Sequence, residues 1–341
     1  MHARSTGPLA LFLFVLLSFL PGCSDEDGSG LLQEVVLELP PTLGTVWPND
    51  DGRSWSYRLD QRGWDEVPPT VYAAPESIPP IPTLDEVESL LGNHPIGPNP
   101  VLDAAGYRMQ FLGMKTTESG AVGQNLVTEM YELPATSATS NLVSVRPGAG
   151  FWLSLARARP DLLPRIAARW PEVGRRAATA GADFADVDPP LYLFGYAWTK
   201  TSQYIGSYGD LNTSLSWKYL EANLEPGHEF TLQLVPDLAD NVFLHARVLR
   251  ERTVTTVLGD HPSAIDVLYM VDYGVNEVFD SQMNAIGYAH SYDYGTITYA
   301  PFVGPVATYE RSLIYAGETQ HPGWRELTGA ITDVQPRGTL P

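Results

Sequence analysis

The second half of the chain is a succession of short segments that have the length and composition of β-strands. They are rich in β-branched and aromatic residues, and Gly, Asp, Asn and Pro separate them. Short strands joined by turn residues are typical of antiparallel sheets. The pattern therefore predicts a mainly β protein, built as an antiparallel sandwich or a curled sheet. The predicted strands are 191–194, 214–220, 229–235, 242–250, 253–257, 264–271, 275–279, 285–290, 296–300 and 306–311.

The first half contains fewer strand patterns. Trp55, Tyr57 and Leu59 alternate with polar residues, which predicts a half-buried strand. Two further strands are predicted at 107–112 and 125–133, joined across a turn that contains glycine. These segments extend the antiparallel prediction to the first half.

Residues 67–100 are dense in proline, which lacks the N–H group that a sheet interior needs. We expect this segment to wrap over the body. One helix is predicted inside it, because Thr83 and Glu86 form a capping box before an apolar face and Gly92 follows that face.

Helical patterns appear between 150 and 181, where prolines divide them into short helices. We interpret this stretch as an insertion between two β-rich halves. The predicted organisation is a signal peptide at 1–22, a lipidated cysteine and flexible tether at 23–44, an N-terminal β-rich half with its proline-rich wrap at 45–149, a helical insertion at 150–188, a C-terminal antiparallel half at 189–318, and a tail at 319–341.

The N-terminus has the layout of a secretory signal. The opening MHARSTG carries one arginine and no acidic residue, and the run that follows from Pro8 to Leu20 is apolar except for Ser18. The run is shorter than the roughly 20 residues that a membrane-spanning helix needs. Export is therefore predicted, without a transmembrane helix in this segment.

The end of the apolar run contains Cys23, the only cysteine in the chain. Leu20-Pro21-Gly22-Cys23 resembles the lipobox of bacterial lipoprotein precursors. The resemblance implies that lipoprotein-processing enzymes attach a diacylglyceryl group to the Cys23 sulfur and cut the chain before it. It also implies that Ser24, standing where aspartate would favour the inner membrane in enterobacterial lipoproteins, directs the protein to the outer membrane of the envelope. The alternative is an ordinary secretory signal with an incidental cysteine.

Two further motifs lie in the body. GRSWSY at 52–57 and YAPFVGPV at 299–306 resemble motifs of uncharacterised β-rich envelope lipoproteins. This looser resemblance spans about residues 45 to 315. It implies a fold and brings no activity with it.

The chain is strongly acidic, with 40 Asp and Glu against 21 Lys and Arg, a formal charge of −19 and a pI near 4.6. A surface of this charge repels nucleic acid and anionic lipid headgroups. We therefore expect no nucleic-acid partner. No cofactor is predicted apart from the covalent lipid.

Two groups of residues are candidates for binding. Aromatic side chains at Tyr192, Tyr196, Trp198 and Trp217 could stack on a sugar or peptide, or they could belong to the core. Oxygen ligands at Asp272, Asp280, Asn284 and Asp293 could gather around calcium, or they could simply serve a hairpin loop. No other metal site and no catalytic residue is predicted, because the seven histidines lack helical zinc spacing and a G-x-S-x-G elbow is absent.

Three functions fit these observations. The first is a lipid-anchored, non-catalytic envelope protein that binds a protein partner, a glycan or an apolar ligand. The second is an exported hydrolase with carboxylates in a cleft between the two halves. The third is a periplasmic carrier of lipids or lipoproteins, in which the sheet and the helices enclose an apolar cavity.

Overall fold

Thirteen strands in the described part of the chain form one antiparallel sheet, which confirms the prediction of a mainly β fold. The computed structural model describes residues 41–65, 71–93, 101–133, 143–145, 149–171, 174, 187–192, 197–208, 215–279, 284–314 and 323–335. The strands are β1 Ser54–Asp65, β2 Val101–Thr116, β3 Val122–Glu132, β4 Val143–Val145, β5 Ala197–Lys200, β6 Tyr204–Tyr208, β7 Leu215–Glu221, β8 Glu229–Gln233, β9 Phe243–Thr256, β10 Gly259–Phe279, β11 Ala285–Ala300, β12 Gly304–Ile314 and β13 Gly323–Gln335.

The strand order is β7-β6-β5-β3-β2-β1-β13-β12-β11-β10-β9-β8, and β4 pairs separately with β3. The sheet curls until its two edge strands, β7 and β8, approach each other. Lys218 of β7 lies over the ring of Phe230 in β8, 5.6 Å from its centroid, and Glu221 contacts His228 at 2.8 Å. Of the two architectures that the sequence left open, the structure is the curled sheet.

Within the described ranges, four short α-helices accompany the sheet: α1 Leu43–Val46, α2 Leu84–Asn93, α3 Ala149–Ala158 and α4 Leu163–Arg169. The predicted capping box is present at α2, where Thr83 N–H donates to Glu86 Oε2 at 2.7 Å and Glu86 N–H donates to Thr83 Oγ1 at 3.3 Å. α3 and α4 are the short helices predicted after residue 150. No helix among the described residues has the length and apolar content to cross a membrane.

The inner face of the curled sheet holds the main core, and α2 covers part of the outer face. On β10, Val267, Tyr269 and Val271 point inward, whereas Leu268 and Met270 point outward into a smaller cluster around Val87 of α2. This alternation is the period of two that a strand buried on both faces shows. Arg247 of β9 fastens α2 further through ion pairs to Asp85 and Glu88.

Several predicted strands merge into longer ones. The segment from Ser291 to Gly295 separates the strands predicted at 285–290 and 296–300, but in the structure it lies within β11. Tyr292 and Tyr294 pack outward in the cluster under α2, while Asp293 is buried on the inner face. Turn-forming residues therefore occupy strand positions here, because tertiary contacts satisfy their polar groups.

The segment interpreted as a C-terminal tail contains β13, which lies in the middle of the sheet. β13 pairs with β12 on one side and with β1 on the other, from Ser54 opposite Gln335 to Asp65 opposite Trp324. The two β-rich halves of the sequence are thus hydrogen-bonded to each other within one sheet.

Residues 191 and 192 were predicted to begin a strand, but in the structure they are not in a strand. Pro189 and Pro190 precede them and cannot donate to a ladder. The backbone N–H groups of Leu191 and Tyr192 donate instead to the side chain of Glu310. The segment 187–192 therefore runs through the interior rather than along the sheet.

Candidate functional site

The inner face of the sheet carries a set of buried polar side chains, which we call the interior polar cluster. Its members are Gln61, Arg157, Asp188, Tyr192, Tyr273, Asp293, Glu310 and Arg325. Cross-strand pairing places Gln61, Leu327, Glu310, Gly295 and Tyr269 in one row across five neighbouring strands. Directly opposed residues share a face of an antiparallel pair. Since Leu327 and Tyr269 belong to the core, Glu310 and Gln61 point into it as well.

Gly295 makes room in this row for the segment 187–192. A Cβ atom at position 295 would clash with the backbone carbonyl of Tyr309 in β12 and would lie 2.7 Å from Cε2 of Tyr192, which real Cβ atoms do not tolerate. The Tyr192 ring is also stacked on Tyr269, with centroids 5.5 Å apart. The glycine therefore serves close packing of the segment against β11.

Asp188 is the centre of the ionic part of the cluster. Its Oδ2 accepts from Arg157 Nη1 of α3 at 2.8 Å and also pairs with Arg325 of β13. Its backbone N–H donates to Gln61 Oε1 at 3.2 Å. All three charged side chains are nearly sealed from solvent. One carboxylate thus joins a helix, a loop and a central strand.

Glu310 is buried on the inner face of β12, beside the segment 187–192. Oε2 accepts from Leu191 N–H at 2.8 Å and Oε1 accepts from Tyr192 N–H at 3.1 Å. Burial raises the pKa of the Glu310 carboxyl to about 8; the two backbone donors oppose the shift, and the charge of Asp293 adds to it. Glu310 is therefore largely protonated at neutral pH.

Two tyrosines complete the cluster. The Tyr273 hydroxyl donates to Asp293 Oδ2 at 2.9 Å. The Tyr192 hydroxyl is buried and has no hydrogen-bond partner among the residues that the structure describes. Burial raises the pKa of both tyrosines, and the nearby Asp293 raises it further. Both phenols are therefore neutral over the whole physiological range.

The chemistry of the cluster is that of a buried network. Asp188, Asp293 and Glu310 are each less than 5% exposed. Buried ionic and hydrogen-bonded groups of this kind fix the relative positions of the elements that they join. In this structure the cluster holds α3 and the segment 187–192 inside the sheet, and it presents no carboxylate pair to solvent within the described residues.

The acid at position 310 predicts a pH dependence. Its folded pKa lies above the ordinary value near 4.3, so its favourable contribution is complete below about pH 4 and is lost as pH rises towards about 8. We expect the free energy of unfolding to fall across this range by at most about 1.4 kcal/mol per pH unit, relative to that of a Glu310→Gln variant. Parallel pH profiles of the two proteins would contradict the assignment. Glu277→Gln, at an exposed position, is the control and should reproduce the wild-type profile.

The aromatic candidates lie in the core where they are described. Tyr192, Trp198 and Trp217 are each at most 2% exposed. Trp198 is stacked on both Trp47 and Tyr219, at centroid distances of 4.7 and 4.1 Å. Tyr196 lies outside the described residues. The three described rings therefore contribute packing area, and none of them offers a face to solvent in this structure.

The calcium candidates are not brought together where they are described. Asp272 Oδ1 contacts His290 Nε2 at 2.8 Å and accepts from Gly274 N–H at 2.7 Å. Asp293 is paired with Val271 of the core and so faces inward, on the side of the sheet opposite Asp272. Asn284 is exposed, and Asp280 lies outside the described residues. Within the described ranges, no three His, Cys, Asp or Glu side chains form a group that could hold a metal ion.

Sequence reasoning missed Glu310 and Arg325 and assigned Asp188 only to the end of the helical insertion at 150–188. The sequence gives no signal for Glu310, because the neighbouring inward positions of β12 are the polar residues Thr308 and Ser312. Arg325 gives a weak one, since the next inward position of β13 is the core residue Leu327 and a charged residue in such a place is rarely buried without a partner. The lipobox residues 20–23 lie outside the described residues, so their prediction stands as made.

No family model matches the sequence, and no curated protein is significantly similar to it. Two solved structures show a likeness. One, from Parabacteroides distasonis and described as "a putative lipoprotein", has a TM-score of 0.28 and 11% identity over 85% of this chain and 98% of that chain. The other, from Bacteroides fragilis and described as "a putative exported protein with YmcC-like fold", has a TM-score of 0.29 and 10% identity over 85% of this chain and 99% of that chain. A likeness of this degree adds no evidence on function.

Proposed function

We propose that this protein is an exported lipoprotein of the bacterial cell envelope, anchored through lipid on Cys23, whose body acts by binding rather than by catalysis. The observation that carries the proposal is the placement of the only cysteine just beyond the largely apolar run from Pro8 to Leu20, with two residues between them, in the sequence Leu20-Pro21-Gly22-Cys23. A single acyl chain holds a protein only marginally, whereas two or more hold it stably on a membrane. A diacylglyceryl group on Cys23 would carry two acyl chains and would therefore attach the protein stably to the membrane.

The packing of the body supports a binding role on its outer surfaces. The inner face of the sheet is filled by aromatic rings in mutual contact and by the interior polar cluster, with α3 and residues 187–192 among them. The carrier hypothesis needs an open apolar interior, and the hydrolase hypothesis needs accessible carboxylates. The described interior favours neither. A partner protein or a glycan at the rims or outer faces fits better.

Membrane location gives the first test. We expect the full precursor, expressed in a bacterial host, to float with membranes in a density gradient and to require detergent for release. Cys23→Ala should appear in the soluble fraction, because the only predicted anchor is gone. A Ser24→Ala variant, which leaves the cysteine in place, is the matched control and should float.

Separation of inner from outer membranes in the same gradient tests the finer proposal. Ser24 supports recovery with the outer membrane. Recovery with the inner membrane would contradict that destination while leaving the anchor intact. Equal flotation of the wild type and Cys23→Ala would contradict the anchor itself.

A further inference from the structure

One end of the sheet receives the N-terminal chain, and we call it the entry end. It comprises residues 41–53, the β2–β3 turn at 117–121, the β9–β10 turn at Val257 and Leu258, the β11–β12 turn at 301–303, and the end of β13. Antiparallel pairing places these at the same end of the sheet, since Ser54 lies opposite Gln335 and Gln110, and Ile265 lies opposite Tyr299.

The first described residues, from 41 onward, are held at this end of the sheet by hydrogen bonds. Phe302 N–H donates to the Thr45 carbonyl at 2.6 Å, and Arg53 Nη2 donates to the Phe302 carbonyl at 2.6 Å. Lys200 Nζ donates to the Trp47 carbonyl at 3.0 Å. The chain that leads from Cys23 therefore joins the described body at its entry end.

Exposed apolar side chains concentrate at the same end. Of the large hydrophobic residues that are exposed in the described ranges, those at the entry end are Leu112, Met114, Val122, Val257, Leu258 and Phe302, and those elsewhere are Val101, Val275 and Ile286. The three most exposed of all, Val257 at 77%, Met114 at 67% and Val122 at 56%, lie at the entry end.

Two of these turns carry apolar residues at their tips. The β9–β10 turn carries Val257 and Leu258, and Gly259 supplies the positive φ, 122°, that follows them. The β11–β12 turn holds Phe302 at φ 62°, a backbone conformation that a bulky residue adopts at a cost. At position 302 an apolar residue is thus kept where Gly or Asn would be accommodated more readily.

We propose that the entry end contacts the lipid surface in which Cys23 is anchored, and that its exposed apolar side chains enter the membrane interface. The inference rests on the proposed lipid anchor. Only 17 residues lie between Cys23 and residue 41, so the entry end stays within about 60 Å of the anchored cysteine even when the chain is fully extended. Apolar side chains at an interface bury themselves at the boundary of headgroups and acyl chains.

The strongly acidic charge of the chain does not favour attraction to lipid headgroups. The contact is therefore expected to depend on apolar burial and to persist at high salt, unlike a contact made by a basic patch. This salt response separates the proposed mode from electrostatic adsorption.

The single native cysteine makes a site-specific test direct. In the lipidated protein Cys23 is blocked, so a cysteine introduced elsewhere is the only one that a fluorophore can label. Val257→Cys reports on the entry end, and Val275→Cys, an identical substitution at an exposed position towards the other end of β10, is the matched control. The labelled full-length proteins are reconstituted in vesicles of phosphatidylethanolamine and phosphatidylcholine that contain brominated phosphatidylcholine.

We expect the brominated lipid to quench the label at 257 at least about twofold more than the label at 275, in low and in high salt. Equal quenching, or stronger quenching at 275, would overturn the inference. So would a label at 257 that is shielded from aqueous iodide but not quenched by brominated lipid, since the end would then face protein. Failure of the proteins to float with the vesicles would instead count against the anchor, so the two proposals fail in different ways.

Discussion

Replacing Asp188 with alanine is expected to destabilise the protein by about 3–5 kcal/mol, because the change removes the carboxylate between two buried guanidinium groups. Arg157 and Arg325 are 11% and 6% exposed at their side chains, so water cannot readily replace the lost partner. The effect is measured as the free energy of unfolding in urea.

Asp161→Ala provides the matched control for this prediction. Asp161 also pairs with an arginine, Arg159, at 2.7 Å, but its side chain is 55% exposed. Exposed ion pairs contribute about 0–1 kcal/mol. Equal losses in the two variants would mean that Asp188 is not the buried centre that the structure describes.

Replacing Trp47 with alanine, as a separate single substitution, is expected to lower the free energy of unfolding by about 3–5 kcal/mol, because it leaves a cavity in the aromatic core. The Trp47 ring lies within 6.0 Å, centroid to centroid, of the rings of Trp55, Trp198, Tyr219 and Tyr299. Its indole therefore joins β1, β5, β7 and β11 across the interior.

The control for Trp47 is Met114→Ala, which truncates a large side chain that is 67% exposed. Surface changes of this kind usually alter stability by no more than about 0.5 kcal/mol. A small loss for Trp47→Ala, close to that of Met114→Ala, would contradict the packed interior and reopen the carrier hypothesis.

The local patterns of the sequence predicted much of the fold. Alternation around Trp55, Tyr57 and Leu59 marked β1, and the capping box at Thr83 marked α2. These signals lie within a few residues of each other, so they need no knowledge of the tertiary structure. Turn residues were less informative. Asp293 and Gly295 are residue types typical of a turn. In the structure, however, Asp293 accepts a hydrogen bond from the Tyr273 hydroxyl, and the Tyr192 ring packs against Gly295.

β13 was missed for a physical reason. Two of its inward positions carry Arg325 and Gly329, which break the apolar alternation of a strand. The space beside Gly329 is filled by side chains of Thr308 and Leu59 from the neighbouring strands. The charge of Arg325 is balanced by Asp188, which is 137 positions away in the sequence. Neither compensation is visible until the strands are paired.

The interior polar cluster was unpredictable for the same reason. Arg157, Asp188, Glu310 and Arg325 come from a helix, a loop and two strands. None of them stands in a motif with fixed spacing, whereas the lipobox is a short contiguous motif. The sequence therefore predicts a site of lipid attachment, whereas the buried network of the body could not be predicted from it.

The lipid on Cys23 is the central claim, and the intact mass of the protein tests it most directly. The precursor and its Cys23→Ala variant would be expressed in a bacterial host, extracted with detergent and measured by mass spectrometry. We predict a mature wild-type chain that lacks residues 1–22 and carries the added mass of lipid, and a variant without that added mass. A wild-type chain of unmodified mass, with a free thiol at Cys23, would contradict the lipoprotein assignment.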